Sequence, residues 1–459
     1  MKPLAALAFC VAVTSCSTVG PDYVPPAIDL ERQFAFAASP DLQVASEERW
    51  WEMFGDPTLN ELMMRGLASN LDILTAQERI AEAQARYRAA GGEGGLDGDA
   101  GAAASVGYRG DDVTETSGGA VGARYVFDLF GRSERTQEAA LAELQAVTLD
   151  KGTVRLAYQA ELLAAYTEAR YFQSAISVTQ RAIASRRSVL QSVERMAASG
   201  AATELERARA RAELSLAQAD LPVYESALET NAVRIAVLLA EPVAPVLARL
   251  QDTSVRIAPD IDMGPGIPAN LLRNRPDVLA AERRLAARFA EIGVAEAALY
   301  PSLSINGAVR IDSSTGLEIG PSLSLPLFGR DQLGAYRDAA ASRAQQAELD
   351  WQAAIQQAVG EVETSLSRID GRRAEIASLT QASRNYANLA RLSREGFDLG
   401  ATTLFELLDV EQYIARTEIS LWRARRDYAL ALSQLALATG RGWRVGEIAD
   451  PVMLAASGG

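Results

Sequence analysis

The second half of the chain repeats the first at an offset close to 200 residues, and this duplication restricts the possible folds more than any other feature of the sequence. The segment "GAATELERARARAELSLAQADL" from Gly200 aligns with "GATTLFELLDVEQYIARTEISL" from Gly400. Likewise, "LDILTAQERIAEAQA" from Leu71 aligns with "PDVLAAERRLAARFA" from Pro276. A chain of 459 residues has room for two or three unrelated domains. The repeat instead predicts one structural unit that is built twice.

Apolar residues spaced seven apart run along each repeat, and such seams are typical of helices wound around their neighbours. Proline is absent from 132–198 and from 331–396, so each stretch can form one uninterrupted helix. At 1.5 Å per residue, each helix is expected to be roughly 100 Å long, which exceeds the diameter of a compact domain. The seams of the return segments that follow are Leu214, Leu221, Leu228 and Ile235 in the first repeat and Leu407, Ile414, Leu421, Tyr428 and Leu435 in the second.

Gly200 and Gly400 follow the two long stretches at the places where a glycine turn would end a helix and reverse the chain. Each repeat is therefore expected to contain a long antiparallel helical hairpin, at 132–240 in the first and 331–440 in the second. Pro222 lies inside the first return helix, where its ring is expected to kink or break the helix.

The apolar period changes from that of a helix to that of a strand between the shorter and the longer helical segments of each repeat. In the second repeat Leu303, Ile305 and Val309 alternate with polar residues, whereas the corresponding first-repeat segment is richer in Gly and Ala. We therefore predict two β-hairpins, at about 100–128 and 302–327. Strands of about ten residues match the length of a tilted strand that crosses a bilayer.

The small number of strands has a consequence for assembly. Four strands per chain cannot close a barrel, for which about eight is the minimum, and open sheet edges are not tolerated in hydrocarbon. Several chains are therefore expected to share one barrel. The alternative is a soluble β-hairpin that caps a coiled coil.

The tetrapeptide Leu-Phe-Gly-Arg occurs once in each repeat, where an outgoing strand is predicted to turn into the long helix. The aromatic residue is expected at the membrane edge, the glycine permits the bend, and the arginine faces water. The residues of these strand-to-helix corners are Gly131, Arg132, Gly329 and Arg330.

The N-terminal segment 1–15 is predicted to be a signal peptide, because a single cation, Lys2, precedes an apolar run shorter than the roughly 20 residues that span a bilayer. The run ends in Val-Thr-Ser-Cys, which resembles the lipobox of bacterial lipoproteins and implies cleavage before Cys16 and lipid attachment to it. An ordinary secretory signal followed by an incidental cysteine is the alternative. Because Cys10 lies in the removed segment, no disulfide is expected within one mature chain.

Charge and histidine content argue against several classes of function. A formal net charge of -14 disfavours a nucleic-acid partner, because phosphate binding needs clustered cations. Histidine is absent, which removes the usual general base and the commonest metal ligand. We therefore expect that the protein is not an enzyme and that it has no metal site and no cofactor.

Two local signals precede the first helix of the first repeat. Asp56 followed by Pro57 is the pattern of an N-cap and a first-turn proline, so a helix is expected to begin there. Trp50 and Trp51 are expected to pack against the helices, with a ligand platform as the alternative.

Seven segments in a specific order run nearly from end to end: "CSTVGPDYVPP", "RWWEMFGDPTLNELMMRGLASN", "FDLFGR", "LLRNRPDVLAAE", "YPSLSINGA", "LPLFGR" and "LFELLDVEQ". Together they resemble the TolC-like outer-membrane efflux proteins, specifically the NodT or OprM type of lipoprotein that serves resistance-nodulation-division (RND) pumps. The first hairpin departs from this pattern, since "RAAGGEGGLDGDAG" lacks the Pro-Ser-Leu found at 301–303.

The resemblance implies a mainly α fold with a small β part. Two repeats of long coiled-coil helical hairpins would form an α-helical barrel, and two β-hairpins would give four strands per chain to a twelve-stranded β-barrel in a homotrimer. The implied location is the outer membrane of a Gram-negative bacterium, with a lipid anchor and a large periplasmic part. The implied partners are a periplasmic adaptor (membrane fusion) protein, an inner-membrane RND pump and outer-membrane lipid.

The function that the resemblance implies is the exit duct of a tripartite efflux pump, which passively conducts small molecules from the periplasm to the exterior. Its gate is an aperture at the helix tips near Gly200 and Gly400. Asp409 matches the family's Leu-Leu-Asp aperture carboxylate, and Phe405 lies at its hydrophobic constriction. Glu406 is one turn from Asp409 on the same helix face, so in a trimer both would form rings of negative charge that favour cations. The alternative is that both acids are solvated near a helix start, where they suit the helix dipole.

The expected organisation has two repeats between flanking segments. It consists of a signal peptide 1–15, a lipidated extended leader 16–55, a first repeat 56–250, a linker 251–268, a second repeat 269–440 and a C-terminal tail 441–459.

Two other functions share parts of this architecture. The exit duct of a type I protein secretion system has the same fold, and the lipobox and the "GPDY" leader favour efflux over secretion. A lipid-anchored periplasmic scaffold without a pore is disfavoured by the strand alternation.

Overall fold

The computed structural model describes residues 18–28, 30–37, 48–92, 95–109, 112–251, 274–311 and 315–444. The predicted signal peptide, Cys16, all of the predicted linker except residue 251, and the tail beyond residue 444 lie outside the described residues.

The first repeat contains two short helices, a β-hairpin, a long helical hairpin and a third short helix. In chain order its elements are α1 Pro57–Ser69, α2 Leu71–Gly91, β1 Leu96–Arg109, β2 Asp112–Phe127, α3 Arg132–Ala198, α4 Glu204–Leu239 and α5 Val243–Leu250. Helix α1 begins where predicted, because the Asp56 carboxylate accepts hydrogen bonds from the N–H groups of Thr58 (2.9 Å) and Leu59 (3.2 Å).

The second repeat follows the same order. Its elements are α6 Pro276–Ala297, β3 Ser302–Ile311, β4 Thr315–Ser324, α7 Arg330–Asp398 and α8 Leu404–Ala438. Helices α3 and α7 contain 67 and 69 residues, so each is about 100 Å long. The mainly helical fold with one small antiparallel sheet confirms the predicted fold class. None of the helices in the described part of the chain is long and apolar enough to cross a membrane.

The two β-hairpins join into one antiparallel sheet in the order β1-β2-β3-β4. The repeats meet at the centre of this sheet, where Val121 of β2 lies opposite Ala100 on one side and Val309 on the other. Strands β1 and β4 form the two edges, and neither has a second partner among the described strands.

The first hairpin is longer than its sequence pattern indicates. Strands β1 and β2 have 14 and 16 residues, whereas β3 and β4 have ten each. Strand β1 also begins at Leu96, ahead of the expected start near residue 100. Every residue of β1 from Leu96 to Arg109 has a partner on β2, so the backbone ladder extends through Gly and Ala positions whose side chains give little alternation.

The predicted break at Pro222 does not occur. Helix α4 is continuous from Glu204 to Leu239 with Pro222 inside it. The proline lies on the exposed side of the helix, so water can hydrate the carbonyl group that its ring leaves without an intrahelical donor.

Helix α3 is the central element of the protomer. It packs against α2, α4, α6 and α8, while α7 packs against α6 and α8. The main hydrophobic core surrounds its middle and includes Trp50 and Trp51, which are fully buried. The indole N–H of Trp50 donates to the Gln159 side-chain oxygen (2.9 Å) on α3. The tryptophan pair is therefore a packing element, as predicted.

Candidate functional site

One face of the sheet is apolar and the other is charged. Residues paired across strands point to the same side, so the register assigns every strand residue to a face. The charged face carries Asp97, Asp99, Arg124, Arg310 and Glu318. The apolar face exposes large side chains in the protomer, namely Leu96, Val106, Tyr108, Val121, Tyr125, Ile305, Ile311, Leu317, Ile319 and Leu323. A continuous exposed apolar face of this kind marks a surface that meets lipid or another protein.

Acids and arginines on the charged face lie next to each other. Asp97 lies directly opposite Arg124 in the strand register, and the Arg310 guanidinium is 4.0 Å from the Glu318 carboxylate. Opposite charges across a strand pair stabilise the sheet slightly. The charged face therefore carries three acids and two arginines in its described part, which is close to electrical balance.

Both strand-to-helix corners depend on a glycine in the left-handed region. Gly131 has a φ of 75° and Gly329 a φ of 79°, and each precedes the first residue of a long helix. Those first residues, Arg132 and Arg330, are both exposed. At this end of the sheet the Phe130 ring stacks on Tyr300 with centroids 4.7 Å apart, and Phe328 is exposed.

The N-terminal leader reaches the first corner. A Cβ at Gly131 would lie 2.4 Å from the Thr18 side chain, so the leader needs glycine there to approach. The Val19 N–H donates to the Phe130 carbonyl (3.2 Å), and the buried Arg135 guanidinium pairs with the Asp22 carboxylate (2.6 Å). No pattern in the sequence indicated these contacts. Thr18 is only two residues from Cys16, which itself lies outside the described residues.

The far ends of the two helical hairpins have the same backbone structure. Gly200 and Gly400 both have a φ of 74° and follow α3 and α7 respectively. The N–H of Ala201 donates to the Met196 carbonyl and that of Ala401 to the Gly396 carbonyl, each at 2.7 Å. We call these two turns the tips of the first and second repeat.

Each tip is followed by a capping box that begins the return helix. In the second repeat the Glu406 carboxylate accepts hydrogen bonds from the Thr403 N–H and hydroxyl groups, both at 2.9 Å. Glu206 and Thr203 make the same box in the first repeat. The backbone and side-chain hydrogen bonds from threonine lower the pKa of both glutamates. Glu406 therefore caps a helix, which accords with the solvated alternative for this residue.

The two tips pack against each other through a small apolar cluster. Its buried members are Val189, Val193 and Ala210 from the first repeat and Phe397, Leu404, Leu407 and Leu408 from the second. On the outside of the cluster, Phe405 is 56% exposed and its ring lies under the Arg209 guanidinium, 4.2 Å from the centroid. Asp409 is exposed one turn further along α8 on the same face. The structure therefore brings Phe405 and Asp409 together with Arg209, which the sequence analysis did not single out.

A charged cluster above the tips was also missed. The buried Glu411 carboxylate of α8 accepts hydrogen bonds from Arg394 of α7 and from the Ser185 hydroxyl of α3 (2.8 Å to Ser185). These residues line a cavity of about 360 Å³ between the three helices. The available signal was an acid four residues after Leu407 and three before Ile414, on the apolar face of α8.

Within the described ranges no group of three or more Asp, Glu, Cys or His side chains is arranged to hold a metal ion. The features that stand out are instead the one-sided sheet, the two corners and the paired tips.

Comparisons with known proteins find similarity along nearly the whole chain. A family model described as outer membrane efflux protein matches residues 62–241 and 267–441. The chain is 30% identical over 458 residues to nodulation protein T of Rhizobium leguminosarum bv. trifolii, covering 95% of this chain and 96% of that protein. It is similar in structure to the outer-membrane channel OprN, with a TM-score of 0.81 and 27% identity over 93% of this chain and 100% of the other. The Campylobacter jejuni CmeC outer membrane channel has the same fold, with a TM-score of 0.86 and 20% identity over 96% and 98% of the two chains.

Proposed function

This chain belongs to the outer membrane efflux protein family and is an outer-membrane efflux channel with a large periplasmic helical part, and on that premise we propose that three copies form one exit duct. The observation that carries this proposal is the one-sided sheet with two free edges. Four strands cannot enclose a lumen, and an open edge in hydrocarbon leaves backbone groups without partners. Three sheets joined edge to edge remove every free edge.

In the proposed trimer, β4 of one chain pairs with β1 of the next, and the apolar face points to lipid. The charged face, with Asp97, Arg124 and Glu318, then lines a water-filled lumen. The aromatic residues at the corners, Phe130, Tyr300 and Phe328, fit the water-lipid boundary on the periplasmic side.

The lipid anchor fits the same arrangement. Thr18 packs on Gly131 at the corner, and two residues span at most about 7 Å. A lipid on Cys16 would therefore enter the membrane beside the point where strand β2 turns into helix α3. The helical hairpins extend from there through the periplasm.

We place the gate at the tips, with Phe405 as the constriction and Asp409 and Glu406 as the aperture acids. Glu406 is charged at neutral pH, since the hydrogen bonds from Thr403 lower its pKa further below an already acidic value. Packing of the apolar cluster around Leu407 holds the resting tip, and docking of a periplasmic adaptor loosens it. The adaptor connects the duct to an inner-membrane RND pump, and the duct passively conducts the small molecules that the pump delivers.

Assembly is tested with the purified mature protein in mild detergent. A homotrimer is expected by light scattering, with heat-dependent migration on gels and discrete conductance steps in planar lipid bilayers. A monomer that inserts no conducting species would contradict the proposed duct.

The gate is tested by ion selectivity in the same bilayers. Asp409→Asn and Glu406→Gln should each lower the preference for cations if both acids line the aperture. Glu206→Gln is the matched control, since Glu206 makes the same capping box in the first repeat. If Glu406→Gln and Glu206→Gln behave alike, Glu406 acts only as a helix cap.

A further inference from the structure

The duplication aligns Arg209 of the first repeat with Asp409 of the second. The capping boxes fix this equivalence, because Thr203 and Glu206 occupy the same structural positions as Thr403 and Glu406. At the next turn of the return helix the first repeat therefore carries a positive charge where the second carries a negative one.

Arg209 differs from the arginines on either side of it. The guanidinium of Arg207 pairs with Glu204 (2.5 Å), and that of Arg211 pairs with Glu194 on α3 (3.1 Å). Arg209 has neither an ion pair nor a hydrogen bond within the described part of the chain, and its guanidinium lies on the Phe405 ring. Its charge is therefore not neutralised by a neighbouring acid of the same helix.

The contact between Arg209 and Phe405 places the arginine charge beside the second tip. The Arg209 guanidinium is 4.2 Å from the centroid of the Phe405 ring, and Asp409 is one helical turn from Phe405 on the same face. The separation between the guanidinium and the Asp409 carboxylate is thus on the order of the Debye length, about 10 Å at 0.1 M salt. At such a distance the two charges act together on an ion that passes the tip.

We infer that Arg209 is a specificity-determining residue of the aperture, where it offsets the acids and leaves the ring only weakly anionic. The inference rests on the proposed trimeric aperture at the second tip. Two acids and one arginine per chain leave one negative charge, so the trimer carries three instead of six. A ring with six negative charges would repel anions. The reduced ring admits anionic as well as cationic small molecules.

The test measures the reversal potential of single channels in planar bilayers under a KCl gradient. Arg209→Gln removes three unit charges from the trimer and should raise the ratio of potassium to chloride permeability by about fivefold. Each charge at about 10 Å in water with 0.1 M salt changes the local concentrations of potassium and chloride by roughly 1.3-fold in opposite directions. Arg209→Lys keeps the charge and should leave the ratio close to that of the wild type. Arg211→Gln is the matched control, and its ratio should not change because Glu194 already neutralises that arginine.

The outcomes separate this inference from the proposed gate. If Asp409→Asn changes the ratio and Arg209→Gln does not, the inference fails while the aperture stands. If neither variant changes it, the aperture itself is misplaced. If Arg209→Lys behaves like Arg209→Gln, the role of Arg209 is packing on Phe405 and not charge, which also overturns the inference. Gel migration of each trimer verifies that the variants assemble.

Discussion

Replacing Ile319 by arginine tests directly which face of the sheet meets lipid. Ile319 lies at the centre of β4 on the apolar face, and 78% of its surface is exposed in the protomer. An arginine on the lipid face near the bilayer midplane costs about 2–4 kcal/mol, and three symmetric copies bring this to about 6–12 kcal/mol per trimer. We expect little assembled protein in the membrane and a lower temperature of trimer dissociation.

The neighbouring residue provides the matched control. Glu318→Arg introduces the same side chain one position earlier, on the charged face. It replaces the pair with Arg310, whose atoms are 4.0 Å apart and well exposed, by two like charges, and each of these exposed effects costs about 0–1 kcal/mol per chain. The two variants therefore introduce the same side chain at neighbouring positions on opposite faces of the sheet, and the smaller cost is expected for the one that also loses an ion pair.

The assay is folding into lipid vesicles at increasing urea concentration, followed by the gel migration of the folded form. The midpoint should fall sharply for Ile319→Arg and only slightly for Glu318→Arg. A larger shift for Glu318→Arg would show that the sheet faces are assigned the wrong way round, and equal shifts would show that the apolar face is not the one that meets lipid. If Glu318→Arg is a monomer that stays soluble without detergent, the proposal that the sheet lies in a membrane is refuted.

Three further predictions concern the periplasmic part. Gly400→Ala should destabilise the protein by about 1–2 kcal/mol, because the φ of 74° at Gly400 is left-handed. Gly360 lies in mid-helix with open space around its Cβ position, so Gly360→Ala should stabilise the protein by about 0.5–1 kcal/mol. Chemical denaturation that gave both variants the same sign would contradict this prediction. In the same assay Asp56→Ala removes a helix cap and the acceptor of a buried tyrosine hydroxyl, so it should cost about 2–4 kcal/mol and Asp56→Asn distinctly less. Hydrogen bonds from Thr403 lower the pKa of Glu406, so its stabilisation of the tip is complete above the unfolded-state pKa of about 4.3 and is lost as the pH falls through the folded-state value. The protection of the tip amides, expressed relative to their intrinsic exchange rate at each pH, should therefore decrease on acidification in the wild type but not in Glu406→Gln.

The features that could be predicted from the sequence are those encoded locally. The turns at Gly200 and Gly400, the cap at Asp56 and the long helices without proline each depend on residues within one or two turns of each other. The duplication doubled this information, because a weak pattern in one repeat was supported by a clearer one in the other. Glu406 shows the limit of such an interpretation, since the Thr-x-x-Glu capping pattern was present and still left the aperture role open.

The degree of burial along the seams could not be predicted. Leu421 and Tyr428 of α8 are buried, whereas Leu221 and Leu228 at the equivalent positions of α4 are only partly buried. Helix α8 packs against both α3 and α7, while α4 packs mainly against α3. A heptad pattern identifies the apolar face of a helix, but it does not indicate how many helices cover that face.

Contacts between segments that are distant in the sequence could not be predicted either. The leader approaches Gly131 across more than 100 residues of sequence, and Arg209 reaches Phe405 across nearly 200. Neither contact leaves a periodic or local signal. The alignment of Arg209 with Asp409 was available, but it acquires meaning only once the structure brings the two tips into one cluster.

The duplication also explains why side chains, and not the backbone, must distinguish the two tips. Both repeats end in the same left-handed glycine turn and the same capping box, so the proposed trimer has six tips of nearly equal backbone structure. The proposed gate requires the tips of the two repeats to differ, because nothing would make only three of six equivalent tips close. The sequence differences between the tips include two exposed positions, where the first repeat has Leu205 and Arg209 and the second has Phe405 and Asp409. These two positions also meet in the structure, because the Arg209 guanidinium of the first tip lies on the Phe405 ring of the second.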